Sequence, residues 1–348
     1  MKKEIYYYKK IKEAGERQGW WDSVGLVTAL SGGGDSVAML WLLRRFYSGR
    51  IVAAHLDHCT REGMSHEDAK FSVELCEKWG IKCVVKTVEV YKERLTGESF
   101  EMAGRRERYT HFYETAEAEG LPFIAVGHSA DDLVETQLMN LFRGTGLEGL
   151  RGIPERRGKI VRPIIDFRRY ELREILRENG VEWREDASNT DIVYRRNKVR
   201  EVLIPWIREN MNPNFESVML GLSKQIDAEL ENKRKNTERL LSEVSMTMPP
   251  AIACWSAALI KNVNDTELAD MLRLQGVLLD LPRLDRDRTM KLVSLIRKGG
   301  KWRFQWARDI EICWSNRGMG WLHRKDIAKG ADENRQNAGK EDLPWWAR

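Results

Sequence analysis

The stretch TALSGGGDS (28–36) constrains this chain more than any other. An apolar run, VGLVTAL (24–30), leads into it, and a run of helical periodicity leads out over 36–47, with Val37, Leu40, Trp41 and Arg44 spaced by three and four. An apolar run of that length reads as a buried parallel strand. The segment is therefore a strand, a glycine-rich loop and a helix start. One glycine there would only relieve strain. Three in a row between hydroxyls, at a helix N-terminus, predict an anion site built from exposed N–H groups and the helix dipole. Its candidates are Ser31, Gly32, Gly33, Gly34, Asp35 and Ser36. The lysine of G-x-x-x-x-G-K-[ST] is missing, and the spacing is not G-x-G-x-x-G, so neither common nucleotide loop fits.

The pattern repeats. IVAAHLD (51–57), IKCVVKTVEV (81–90) and PFIAVGH (122–128) read as further strands, separated by helical segments at about 65–79 and 100–119. A helix over 130–142, closed by Gly144, follows the last of them. This β-α alternation predicts an α/β fold with an open, doubly wound parallel sheet. KIVRPII (159–165) offers another strand, 168–178 a charged helix, and 185–207 a polar loop ending in a helix. NMNPNF (210–215) reads as a domain boundary. The expected organisation is a catalytic domain over 1–210, a mainly helical domain over 211–325 and a polar tail over 326–348. The second domain opens with a long helix at about 215–244 and ends in a hairpin over 301–324.

In such sheets ligands bind at the carboxyl ends of the strands. That rule gathers three distant motifs at one edge: SGGGDS, HLDH (55–58) and GHSADD (127–132). On the helix after 128, His128, Asp132 and Glu135 share one face, bordered by Asp131. Alone this is an acidic first turn that favours the helix dipole. Beside an anion loop it becomes a candidate pocket for Mg²⁺ or a cationic substrate. Arg105, Arg106 and Tyr109 fall on the 100–119 helix, where arginine can neutralise phosphate or simply line a surface. Arg196, Asn197 and Arg200 stand at a loop-to-helix junction suited to phosphate of ATP or RNA.

Composition adds bounds. Net charge is +5, but residues 143–200 are rich in arginine, among them Arg156, Arg157, Arg162, Arg168, Arg169, Arg173 and Arg195. They form either a phosphate-attracting basic face or a salt-bridged surface. The five cysteines include no C-x-x-C, so no zinc ribbon or redox dithiol is expected, and unpaired thiols fit a reducing cytoplasm. The first residues begin like a signal peptide, but no apolar core follows and no 18-residue apolar run exists, so neither secretion nor a membrane span is expected. The sequence leaves a homo-oligomer open.

S-G-G-x-D-S matches the loop of ATP pyrophosphatases, which cleave ATP between the α and β phosphates. The resemblance gives Asp35 a role, because a carboxylate repels phosphate but can hold a Mg²⁺ that offsets charge on the leaving diphosphate. Across roughly residues 20–210 the chain resembles the tRNA(Ile)-lysidine synthetase family. The resemblance runs through SGGGDS, HLDHCTRE (55–62), E-x-x-x-R-R-x-R-Y (Glu101 to Tyr109), GHSADDLVET, RGTGLEGLRGI, RPII and D-x-S-N-T-D-x-x-Y-x-R-N-x-x-R. It implies that ATP adenylates C2 of the wobble cytidine (position 34) of tRNA(Ile) bearing a CAU anticodon, and that free L-lysine displaces AMP to give lysidine. Under it, Asp132 and Glu135 bind or deprotonate the lysine ammonium, and Arg106 holds its carboxylate or a phosphate. His128, Asp131, Arg196, Asn197 and Arg200 bind substrate, and ATP and Mg²⁺ serve as cofactors. The target base must leave its stack to be reached.

Two departures stand out. Many members have a second histidine where this chain has Ser129, and larger members carry a further tRNA-binding domain. Two other readings are open. An RNA thiolase of the same superfamily requires grouped sulfurs, whereas only Cys59 lies near a strand end. A nucleotide-responsive RNA-binding module would avoid the carboxylates at 131–135.

Overall fold

In the computed structural model, residues 2–59, 64–185 and 195–328 are described. The motif DxSNTDxxY and the residues Thr60, Arg61 and Glu62 of the second strand's motif lie outside them, as does the tail from 329. The chain divides into two compact units, Met1–Asp227 and Ala228–Arg348.

The first unit opens with a helix not expected from the sequence, α1 (Lys2–Gln18), which buries Tyr7, Ile11 and Ala14 at spacings of four and three. The expected alternation follows: β1 (Gly25–Ala29), α2 (Gly34–Phe46), β2 (Arg50–Asp57), α3 (Met64–Trp79), β3 (Lys82–Thr87), α4 (Phe100–Ala118), β4 (Phe123–Ala125) and α5 (Ala130–Arg143). After it come α6 (Leu147–Leu150), β5 (Arg156–Arg157), β6 (Ile160–Val161) and α7 (Arg169–Glu178). The sheet order is β3-β2-β1-β4-β6-β5. All neighbours are parallel except β5 and β6, an antiparallel edge pair.

Side chains alternate across the sheet with the strand period of two. Leu26, Ala53 and Ala125 join one buried core with residues of α1, α2 and α7. Val27, Val52, Ala54 and Ile124 join another with Phe112 and Ala116 of α4. Both faces are thus covered, which is why the strands read as continuous apolar runs. Full burial of a Leu or Val stabilises by about 1.5–3 kcal/mol, so these small cores carry much of the fold.

The chain leaves β1 toward β2 and β3 on one side and returns through β4 on the other. The reversal of strand order lies between β1 and β4, the place where doubly wound sheets open a crevice for ligands.

A helical run then passes from α8 (Arg195–Lys198) through a wider π-helical turn (Val199–Leu203) into α9 (Ile204–Asn210). Pro205 has no N–H to donate into the preceding turn, and a π-turn is one way a helix absorbs that loss. α10 (Phe215–Val244) follows. The units divide at Asp227 rather than at 210. Phe215 and Met219 explain the difference, because they pack with Val134, Leu138, Val199 and Ile204 in a core of the first unit.

The second unit holds more strand than the sequence reading expects. It contains β7 (Ser245–Met246), β8 (Ala253–Ser256), α11 (Ala257–Ile260), α12 (Asp265–Leu278) and α13 (Arg286–Lys298). β9 (Trp302–Gln305), β10 (Ile310–Trp314) and β11 (Gly318–His323) complete it. The stretch read as a hairpin supplies three strands of a five-stranded sheet, ordered β7-β8-β11-β10-β9. Its core packs Trp255, Trp306, Trp314 and Trp321 against α12 and α13. Among the described residues, no helix is long and apolar enough to cross a membrane.

Candidate functional site

The glycine loop is held by its own hydroxyls. Ser36 Oγ donates to the Gly33 carbonyl at 2.8 Å and receives the Ser31 N–H at 3.2 Å; the Ser31 and Ser36 oxygens lie 3.1 Å apart. Gly32 takes φ +82°, a left-handed conformation that favours glycine. Its carbonyl accepts the Arg184 N–H at 2.9 Å, so the loop is pinned to the chain beyond α7. Gly33 caps α2 without any side-chain cap. The first amides of α2 are thereby left for an external acceptor.

Gly127 joins this loop to the next motif. A Cβ built there would lie 3.2 Å from the Ser36 N and Cα. A glycine lets the end of β4 approach the loop backbone this closely without a tight contact, and the next residue is His128.

Behind these motifs sits a dense ion-pair cluster. Asp35 accepts from Arg173 at 2.9 Å and lies 3.5 Å from Arg169. Arg169 also donates to Asp132 Oδ1 (3.0 Å) and Glu135 Oε1 (3.2 Å). Arg196 spans the same two carboxylates at 3.0 and 2.7 Å, and Arg200 reaches Glu135 at 2.6 Å. Glu135 is 1% exposed, with three guanidiniums on its two oxygens. Three carboxylates (Asp35, Asp132, Glu135) thus face four arginines (Arg169, Arg173, Arg196, Arg200), one positive charge in excess. A guanidinium fork matches carboxylate and phosphate alike, so these arginines can exchange one partner for the other.

The electrostatics follow from this packing. Burial, then repulsion from Asp132, raises the Asp35 carboxyl above its ordinary value despite Arg173 and Arg169. Burial would also raise Asp132, but Arg196 and Arg169 outweigh it and hold that carboxyl below the usual range. The His128 imidazole is pushed down to about 4, chiefly by burial.

The other residues singled out from the sequence fall as follows. Asp131 accepts the Arg169 N–H at 2.7 Å and pairs with Arg168 at 3.3 Å, so it serves the start of α7. Ser129 caps α5: it accepts the Asp132 N–H, and its own N–H and hydroxyl donate to Asp132 at 2.8 and 3.0 Å. The serine in place of a second histidine is therefore committed to fixing Asp132. Asn197 is buried on α8 between Arg196 and Arg200. Arg106 is not turned to the carboxylate cluster. Its guanidinium is engaged by Glu98 at 3.2 Å, the Glu93 carbonyl at 2.7 Å and Glu107.

Sequence reasoning missed Arg169 and Arg173 as site residues and left them in either a phosphate-attracting basic face or a salt-bridged surface. Most of that surface turns inward: Arg168, Arg169, Arg173, Arg196 and Arg200 all pair with carboxylates. The available signal was the spacing of four between Arg169 and Arg173, which puts both on one face of α7.

A tRNA(Ile)-lysidine synthase from Clostridium perfringens is 39% identical over 219 residues, covering 62% of this chain and 47% of that protein. One from Clostridioides difficile is 37% identical over 225 residues, covering 63% and 49%. The chain spans about half the length of the curated relatives it matches. Among solved structures, the U34-tRNA thiolase NcsA from Methanococcus maripaludis superposes with a TM-score of 0.53 at 18% identity, over 64% of this chain and 79% of that one. That likeness is one of fold. The PP-loop domain family matches residues 7–207, which include the glycine loop, the β4 motif and every arginine of the cluster. The chain belongs to the PP-loop domain family.

Proposed function

We propose that the chain ligates free L-lysine to C2 of the wobble cytidine of tRNA(Ile) with a CAU anticodon, using ATP and releasing AMP and diphosphate. The observation that carries this reading is the contact of Gly127 with Ser36, which sets a phosphate loop and a carboxylate pocket side by side at the strand-order reversal. The curated relatives named above support the choice of substrate.

In the first step the cytidine O2 attacks the α-phosphorus, the bond to the β-phosphate breaks, and diphosphate leaves. The loop and the first turn of α2 hold the leaving group, and Arg173 and Arg169 move from Asp35 onto phosphate oxygens. In the second step the lysine Nε bonds to C2, the C2–O bond breaks, and AMP departs. The ammonium must first lose a proton, which Asp132 or Glu135 accepts and passes on to water. Departure of Arg169 toward phosphate takes one guanidinium off Asp132 and Glu135, which keep Arg196 and Arg200, and opens an acceptor position for that ammonium. Nucleotide binding thereby creates the lysine pocket. Asp35 is the residue that would hold Mg²⁺. A carboxylate beside phosphate oxygens suits a hard cation, and the repulsion between Asp35 and Asp132 is a load such a cation relieves. When bound, the cation offsets charge on the leaving diphosphate.

The cysteines do not favour the thiolase reading. Cys59 follows the carboxyl end of β2, whereas Cys83 pairs with Ala53 toward the opposite end of the strands, with Cys76 buried nearby on α3. Cys254 and Cys313 are buried in the core of the second unit. The test is diphosphate release in the presence of both tRNA and lysine. Release that requires the tRNA and label from lysine in the RNA support the ligase. Turnover that needs a sulfur donor instead overturns it.

A further inference from the structure

Arg162 follows β6 and is 5% exposed. Its Nη1 donates to the Pro154 carbonyl at 2.6 Å, and its backbone N–H to Gln18 Oε1 at 2.7 Å. Its Nε lies 3.3 Å from His128 Nδ1. Among the described residues no carboxylate pairs with it, unlike the neighbouring arginines of the cluster. A guanidinium has only donors, so His128 Nδ1 must present its lone pair to Arg162. The proton of a neutral imidazole is then on Nε2. That nitrogen has no hydrogen-bond partner among the described residues.

We propose that Arg162 is a positioning residue: it fixes His128 as a neutral Nε2–H donor aimed at an anionic phosphoryl oxygen of the nucleotide. The acceptor rests on the function proposed above; the tautomer does not. His128 adjoins Gly127, the residue packed on the phosphate loop, so a phosphoryl group held by that loop lies next to the imidazole. A second proton on the ring would face the Arg162 N–H head-on. The charged groups around the imidazole are Asp132 from α5, Arg162 after β6, Arg196 from α8 and Arg105 from α4. Three of the four are cationic, and with burial they keep the ring neutral, its value near 4. His128 is therefore a donor in the reaction and not its base.

The test is nuclear magnetic resonance of the full chain labelled with ¹⁵N-histidine, with His128→Gln used for assignment. The expected result is an Nε2-protonated imidazole that stays neutral down to about pH 5. Protonation at Nδ1, or titration at the ordinary value near 6.5, overturns the proposal whatever the enzyme's substrate. Arg162→Met removes the donor and Arg162→Lys retains one. In the methionine variant Nε2 is protonated in only part of the neutral molecules. Diphosphate release then falls about twofold at pH 8, in proportion to the Nε2–H form lost, and recovers only as pH drops toward the ring's own value, which burial still holds below 6.5 and where the imidazolium again carries Nε2–H. The lysine variant keeps the flat profile of the parent. An equal loss at every pH in both variants indicates a merely structural role and overturns the assignment. Should the parent release no diphosphate at all, the functional reading fails while the resonance experiment still decides the tautomer.

Discussion

Gly127 packs against the backbone of Ser36 so closely that an added Cβ would stand 3.2 Å from both the Ser36 N and Cα. This contact couples the end of β4 to the glycine loop. Gly127→Ala should push the two apart by a few tenths of an ångström. The expected cost is about 1–2 kcal/mol of stability, as for mild overpacking, together with a loss of ATP affinity. Denaturant unfolding and calorimetric ATP titration check both, and unchanged ATP affinity would count against the coupling.

Gly34→Ala acts differently. Its Cβ would fall 2.0 Å from Arg173 Nη1, the far end of a side chain that can swing away. Stability should change by less than about 1 kcal/mol, because alanine also favours the helix. The displaced arginine would lose Asp35 and its place beside the loop. ATP binding should weaken roughly tenfold, the loss expected for one charge-assisted hydrogen bond. Wild-type affinity in the variant would remove Arg173 from the phosphate site.

Asp35→Ala should abolish diphosphate release while leaving tRNA binding nearly intact. Filter binding and a diphosphate assay separate the two, and a collapse of tRNA binding would reassign the loop.

Glu135→Gln removes one of the two buried charges, Asp132 being the other, that pair with Arg169, Arg196 and Arg200. Breaking a buried pair costs about 3–5 kcal/mol, less where an amide still accepts hydrogen bonds. Lysine transfer should suffer more than adenylation, measured as labelled-lysine incorporation against diphosphate release. Equal loss of both would contradict its placement at the lysine ammonium.

His128 makes stability depend on pH. Its folded value, about 4, lies below the ordinary 6.5, so between those limits the unfolded chain binds more protons than the folded one. Stability should therefore be full above about pH 6.5 and decline as pH falls toward 4. His128→Gln should flatten part of that decline in thermal melts taken from about pH 7 to 5. Identical slopes in the two proteins would show that the imidazole is not held neutral.

The parallel sheet was legible because each strand is a short apolar run ended by glycine or by polar residues. Helices α2, α5 and α10 were legible from spacing of three and four, and Gly144 does close α5. The acidic stripe Asp132–Glu135 was readable from one helix alone. Its partners were not, since Arg169, Arg196 and Arg200 come from elements 34 to 65 positions away that only the fold brings together. For the same reason Arg106 looked available: its spacing on α4 was visible, but not the return of Glu98 onto it. The sheet of the second unit was obscured because β7 and β8 are two and four residues long and gain their order from β11.

The most direct test of the proposed reaction is incubation of the chain with labelled lysine, ATP and a tRNA(Ile) bearing CAU. Label should enter the RNA at a single cytidine, the wobble base, with diphosphate released in equal amount. Diphosphate release with no label in the RNA, or label spread over several cytidines, would contradict lysine ligation at that base.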